Sequence, residues 1–178
     1  LATRDPRLLF EAVSRLDREK LIDPDQFRIQ WYVDAGSKAI IMQAATAYPV
    51  ARYMDFFDYV PASEIPGVLN HSSILLQLAN TFASNGPKGF MTTKLFESMA
   101  VEKPLLCVKS VEETIRITRS GLAARTTEEA YRFILHHYQF WQDNGYTHIN
   151  TDKEAVERFS RKKQAEQFMR IFTRLNSK

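Results

Sequence analysis

Residues 74–108, ILLQLANTFASNGPKGFMTTKLFESMAVEKPLLCV, decide the fold. Ile74 to Leu78 is a short apolar run that reads as a strand, and Pro104 to Val108 (PLLCV) is a second, buried one. Between them, Asn80 to Phe90 has the most turn-forming composition in the chain, and Thr92 to Val101 reads as a helix. Strand, loop, helix, strand is the unit of a parallel sheet, because parallel neighbours need a long crossover between them.

The alternation continues on both sides. Leu8, Leu9, Ala12, Val13 and Leu16 recur at helical spacing behind Asp5-Pro6, and Asp23-Pro24-Asp25 is expected to end that helix. Phe27 to Val33 (FRIQWYV) is β-branched and aromatic and reads as a buried strand. Gly36-Ser37 opens a helical run through Ile40, Ile41, Ala44, Ala45 and Tyr48, which Pro49 should kink or end. Phe56 to Val60 (FFDYV) reads as a strand closed by Pro61, and a brief helix follows around Ser63 to Leu69. Three capping boxes announce helices further on: Ser110 with Glu113, Thr126 with Glu129, and Thr151 with Glu154. Gly121 to Ala124 (GLAA) is short enough for an edge strand. The expected fold is α/β: a doubly wound, Rossmann-like parallel sheet with a helical C-terminal extension, in one domain over residues 1–178.

The 178 residues are 44% apolar and 25% charged, the balance of an ordinary globular domain able to bury its own core. A net charge of +3 fits an anionic small ligand or an anionic membrane surface and excludes the dense basic field of a nucleic-acid binder. The lone Cys107 allows no internal disulfide and fits a reducing compartment, so a cytoplasmic location is expected, with the inner face of a membrane as the second place for it. No apolar run approaches membrane-spanning length. Thr3-Arg4-Asp5-Pro6 is already a turn and a helix start, whereas α/β domains open on a strand; a first strand and a further domain are therefore expected upstream.

In such a sheet, ligands bind outside the carboxyl ends of the strands. That selects Asp34 to Lys38, Pro61 to Glu64, Asn80 to Phe90 and Lys109-Ser110. The third loop brings Gly86, Lys88 and Gly89 to a helix start, where unpaired N–H groups and the helix dipole favour an anion such as phosphate. Thr92, Thr93 and Lys94 add two hydroxyls and a cation, and Glu97 follows at three- and four-residue spacing, where a carboxylate suits two adjacent ribose hydroxyls. The plain alternative is a solvated Gly-Pro-Lys-Gly turn with Lys94 and Glu97 as a surface ion pair.

The stretch Gly86 to Leu106 (GPKGFMTTKLFESMAVEKPLL) resembles the donor-site signature of the GT-B superfamily of glycosyltransferases, group 1, retaining type, in its C-terminal, donor-binding domain. That signature is a loop, then Lys-Leu/Ile-Phe/Pro-Glu, a small-residue helix, and Gly/Lys-Pro before a strand. Ile74 to Asn80 resembles the strand before the loop, Gly121 to Ala124 the family's late glycine strand, Thr126 to Phe133 its following helix, and Phe159-Ser160 with Lys162 the start of the last helices. The resemblance implies that Glu97 holds the nucleotide ribose, that Thr93 and Lys94 lie beside the diphosphate, and that Val60 and Pro61 meet the base edge. Arg4 falls near a phosphate-contacting basic residue. Many retaining members carry a second glutamate where this chain has Gly89, so donor-sugar contact would rest on the backbone amides of Gly89, Phe90 and Met91.

The implied activity is sugar transfer from a nucleotide-activated donor, with no metal or other cofactor: amides, Thr93, Lys94 and Arg4 would stabilise the leaving diphosphate. Acceptor and general base would belong to the missing N-terminal domain, and this chain alone would turn over nothing. The alternatives are a non-catalytic ligand- or protein-binding module on the same fold, or half of a nucleotide-sugar epimerase. Asp23-Pro24-Asp25 reads as a turn rather than a metal motif, and adjacent His136 and His137 diverge on a helix and flank the core. Arg158, Arg161, Lys162 and Lys163 read as a solvated helix face that could also lie on an anionic membrane.

Overall fold

The apolar stripe Leu8, Leu9, Ala12, Val13 and Leu16 is buried in the computed structural model of the chain, on helix α1 (Arg7–Arg18). The structure describes residues 5–78, 93–108 and 111–176. The Asp5 carboxylate accepts the Arg7 N–H at 3.0 Å and grips the Arg7 guanidinium at 2.9 and 2.8 Å, which fastens the first turn. At the far end Lys20 takes a left-handed φ of 57°, and the N–H groups of Lys20 and Leu21 donate to the carbonyls of Asp17 and Leu16. This Schellman closure ends α1 ahead of Asp23-Pro24-Asp25. Asp23 still makes the expected turn, accepting the Asp25 N–H at 2.9 Å.

Strand β1 (Ile29–Tyr32) pairs in parallel with β2 (Met54–Phe57), Ile29 opposite Met54 and Tyr32 opposite Phe57. Helix α2 (Ala35–Ala45) and a 3-10 turn at Ala51–Tyr53 link them. Then come α3 (Ile65–His71), β3 (Leu75–Leu78), α4 (Thr93–Ala100), β4 (Leu105–Val108), α5 (Glu112–Thr118) and β5 (Gly121–Ala124). The last three strands form a parallel sheet in the order β3-β4-β5. Helices α6 (Thr127–Asn144), α7 (Lys153–Glu157) and α8 (Arg161–Asn176) follow. The class is α/β with parallel strands, as expected; the described strands make two sheets rather than one. Three boundaries move: β2 lies earlier than Phe56 to Val60, α3 later than Ser63 to Leu69, and α2 stops before Pro49 is reached.

Strand β4 explains why Leu105 to Val108 is wholly apolar. Leu106 and Val108 face a core shared with α1, α2, α6 and the inner residues Ile29, Trp31 and Met54 of the other sheet. Leu105 and Cys107 face a second core with Leu95 and Met99 of α4 and Ile115 of α5. Both faces of the strand are buried, so neither can be polar. Gly121 is required beside it: a Cβ there would lie 1.8 Å from the Leu105 carbonyl oxygen.

Helices α1 and α6 fix how the two sheets point. Glu11 accepts from Thr127, Arg15 pairs with Glu128, Glu19 accepts from Tyr131, and the Asp23 N–H donates to Tyr138, a register that ascends along α1 and the turn after it and likewise along α6. The two helices are therefore parallel. Phe10 meets Trp31 near the end of β1, while Asp17 meets Tyr53 just before β2, so α1 runs against its strands. Helix α6 follows β5, and just past its end the Thr147 hydroxyl donates to the Ser73 carbonyl ahead of β3, so α6 also runs back against the strands. All five strands thus present their carboxyl ends on the same side.

Of the three capping boxes, Thr126 with Glu129 forms in both directions. Ser110 lies outside the described residues. Thr151 with Glu154 does not form. Asp152 caps α7 instead, accepting the Ala155 N–H at 3.0 Å, and the Thr151 hydroxyl is buried without a partner. A carboxylate accepts a backbone N–H more strongly than a hydroxyl does, which places the cap one residue later.

Candidate functional site

The common carboxyl edge gathers the starts of the helices that follow the strands. After β1, Asp34 caps α2: its carboxylate accepts the Ser37 N–H at 2.8 Å, the Ser37 hydroxyl at 3.0 Å and the Tyr59 hydroxyl at 3.0 Å. These donors, the Ser37 amide foremost, hold the Asp34 carboxyl below the usual carboxylate range. Tyr59 comes from the loop after β2, so the two loops are bridged. Val60 and Pro61, the residues expected to meet a base edge, stand next to that bridge, Val60 half-buried and Pro61 exposed. The rings of Tyr32 and Phe57, the last residues of the two strands, stack with centroids 4.9 Å apart. Sequence reasoning misses both the Asp34–Tyr59 bridge and this stack. The only signal for the stack is that both strands end on an aromatic residue.

On the other sheet, α4 opens with Thr93 and Lys94, both exposed, and Glu97 is exposed one turn along; Leu95, Ser98 and Met99 face inward. The helix thus turns Thr93, Lys94 and Glu97 away from the core. Both side chains are solvated, and among the described ion pairs none joins Lys94 to Glu97, a pair that three-residue spacing permits without imposing. Arg4, Gly86, Lys88, Gly89, Phe90, Met91, Thr92 and the Lys109-Ser110 loop lie outside the described residues.

After β5, Arg125 spans to Glu112 of α5 and holds its carboxyl below the usual range. Arg125, Thr126 and Thr127 then line a polar cleft of about 330 Å³ with Asp5, Arg7, Leu8, Glu11 and Tyr48, between the starts of α1 and α6. Its two cations are both engaged, Arg7 by Asp5 and Arg125 by Glu112. A second, apolar cavity of about 290 Å³ lies between the end of α4 and α7, lined by Phe96, Met99, Val156 and Phe159. Glu102 and Lys153, paired at 2.8 Å, also line it. It sits by the segment leading into β4, at the amino ends of the strands and away from the residues above.

His136 is exposed and His137 buried, and burial, with the neighbouring His136, lowers the His137 pKa to about 4. Their divergence agrees with a core-flanking role. The His71 Nδ1–H donates to the Gly67 carbonyl at 2.7 Å within its own helix.

The arrangement defines a class: an α/β protein of parallel strands whose helix starts converge on one edge. No protein-family model matches this chain, and no curated protein matches it. No helix among the described residues is long and apolar enough to cross a membrane.

Proposed function

We propose that this chain is the donor-binding half of a GT-B-type glycosyltransferase and that the carboxyl edge holds a nucleotide-activated sugar. The observation that carries the reading is the outward face of α4: Thr93, Lys94 and Glu97 are all exposed at the start of the helix after β3, on the edge where α/β proteins bind ligands. A hydroxyl and a cation at a helix start match a diphosphate, and a carboxylate one turn along matches a ribose diol.

The sheet order is in keeping with this. The described strands run β2-β1 in one sheet and β3-β4-β5 in the other. Parallel strands joined through helices are the framework of a doubly wound nucleotide-binding domain. In the reaction the enzyme's task is to stabilise charge on the departing diphosphate; Thr93, Lys94 and backbone amides do so without a proton transfer of their own. Acceptor binding and any general base fall to another domain.

The test is calorimetric titration of the natural full-length protein with nucleoside mono- and diphosphates and with nucleotide sugars. Binding of a nucleoside diphosphate that Glu97→Ala weakens supports the reading. Saturating nucleotide without heat or thermal shift overturns it.

A further inference from the structure

Helix α8 leaves its apolar face uncovered. Phe168, Ile171, Phe172 and Leu175, at the three- and four-residue spacing of one helical stripe, are 54–65% exposed, and Met169 beside them is 64% exposed. No residue from Arg161 to Leu175 is buried. Side chains of this size contribute a contiguous patch of the kind that marks an interaction surface.

The charge of the same helix states what that surface fits. Arg161, Lys162, Lys163, Arg170 and Arg174 stand against the single Glu166, which pairs with Lys163 at 3.2 Å. The helix therefore carries a net of four positive charges while the whole chain carries +3, and the remainder is close to neutral. Lys163, Arg170 and Arg174, spaced seven and four residues apart, line the face opposite the apolar stripe. Phenylalanine and leucine on one face of residues 168–175, Lys163, Arg170 and Arg174 on the other, and too little hydrophobicity to span a bilayer define a helix that lies in the membrane interface. A protein groove would need only a local acidic rim, whereas cations from Arg161 to Arg174 along the full helix match an extended sheet of anions.

We infer that α8 is an interfacial helix that seats this chain on an anionic lipid bilayer, with Phe168, Ile171, Phe172 and Leu175 below the headgroups and the cations at their level. The inference stands independently of the nucleotide reading.

The experiment is co-sedimentation of the natural full-length protein with vesicles of phosphatidylcholine alone and of phosphatidylcholine containing about one part in four phosphatidylserine. Binding should favour the anionic vesicles at least tenfold and weaken with added salt. F168S/F172S and K163Q/R170Q/R174Q should each lose at least tenfold in affinity. All the replaced side chains are partly or fully exposed, and circular dichroism checks that the variants stay folded. In F172W the indole emission should shift to the blue on the anionic vesicles, reporting insertion rather than adsorption. Equal binding to both vesicles, no binding, or binding without the blue shift overturns the inference. So does a dimer in light scattering that F168S/F172S dissolves, which would assign the face to a second copy; vesicle-free capture of a defined acidic protein would assign it to that partner instead.

Discussion

The Tyr59 hydroxyl donates to the Asp34 carboxylate at 3.0 Å, and this bond ties the loop after β2 to the cap of α2. Because Asp34 also accepts two bonds from Ser37, one carboxylate organises both loops at the carboxyl edge of the two-stranded sheet.

Asp34→Ala should lower the melting temperature at neutral pH, since it removes an N-cap and the Tyr59 bond together. The folded Asp34 carboxyl titrates below its unfolded value of about 3.9. A group of that kind contributes stability above the unfolded value and loses it as pH falls through the folded one. The gap between wild type and Asp34→Ala should therefore be full at pH 7 and close below about pH 4. Thermal melts across that range check it; a gap that widens in acid contradicts the bond.

Gly121→Ala should be severely destabilising. The new Cβ would meet the Leu105 carbonyl oxygen at 1.8 Å, against backbone that cannot rotate away, and β5 would have to leave β4. A loss of about 3 kcal/mol or more is expected, the upper range for overpacking. Urea denaturation measures it, and a loss below about 1 kcal/mol would show that β5 can shift.

Glu97 tests the ribose reading. Glu97→Ala should weaken nucleotide binding in the full-length enzyme by about 1.5–3 kcal/mol, the range for hydrogen bonds to a charged group. Its exposed position on α4 means that stability should hardly change. Unchanged affinity in calorimetry removes Glu97 from the site.

For Lys94, the ratio of affinities is more telling than either affinity alone. Wild type should prefer nucleoside diphosphate to monophosphate, and in Lys94→Met that preference should shrink while the nucleoside contribution holds. An unchanged ratio would leave backbone amides as the phosphate ligands.

Cys107 should be inert in the folded chain. Burial on both faces of β4 pushes its thiol up to about 12, so at pH 8 almost no thiolate is present. A thiol-reactive dye should label it only after unfolding; rapid labelling under native conditions would mean that the strand opens.

Features encoded within one or two turns of chain are legible in the amino-acid sequence by itself. The helical stripe of α1, the unbroken apolar run of β4 and the Thr126–Glu129 box each depend on neighbours a few residues away, and each forms where that local pattern puts it. The outward Thr93, Lys94 and Glu97 belong with these, because helical spacing alone puts them on one side. What only the tertiary structure decided are choices between nearby competitors and pairings across long separations. Asp152 outcompetes Thr151 for a cap that either could supply. The bounds of β2 follow from Met54 settling opposite Ile29, a register that local propensity cannot specify. The Asp34–Tyr59 bridge joins residues from loops on successive strands, and the parallel docking of α1 on α6, through pairs such as Arg15 with Glu128, joins residues more than a hundred positions apart. No local pattern records such contacts: their free energy is realised only once the strands have paired and both helices share a core.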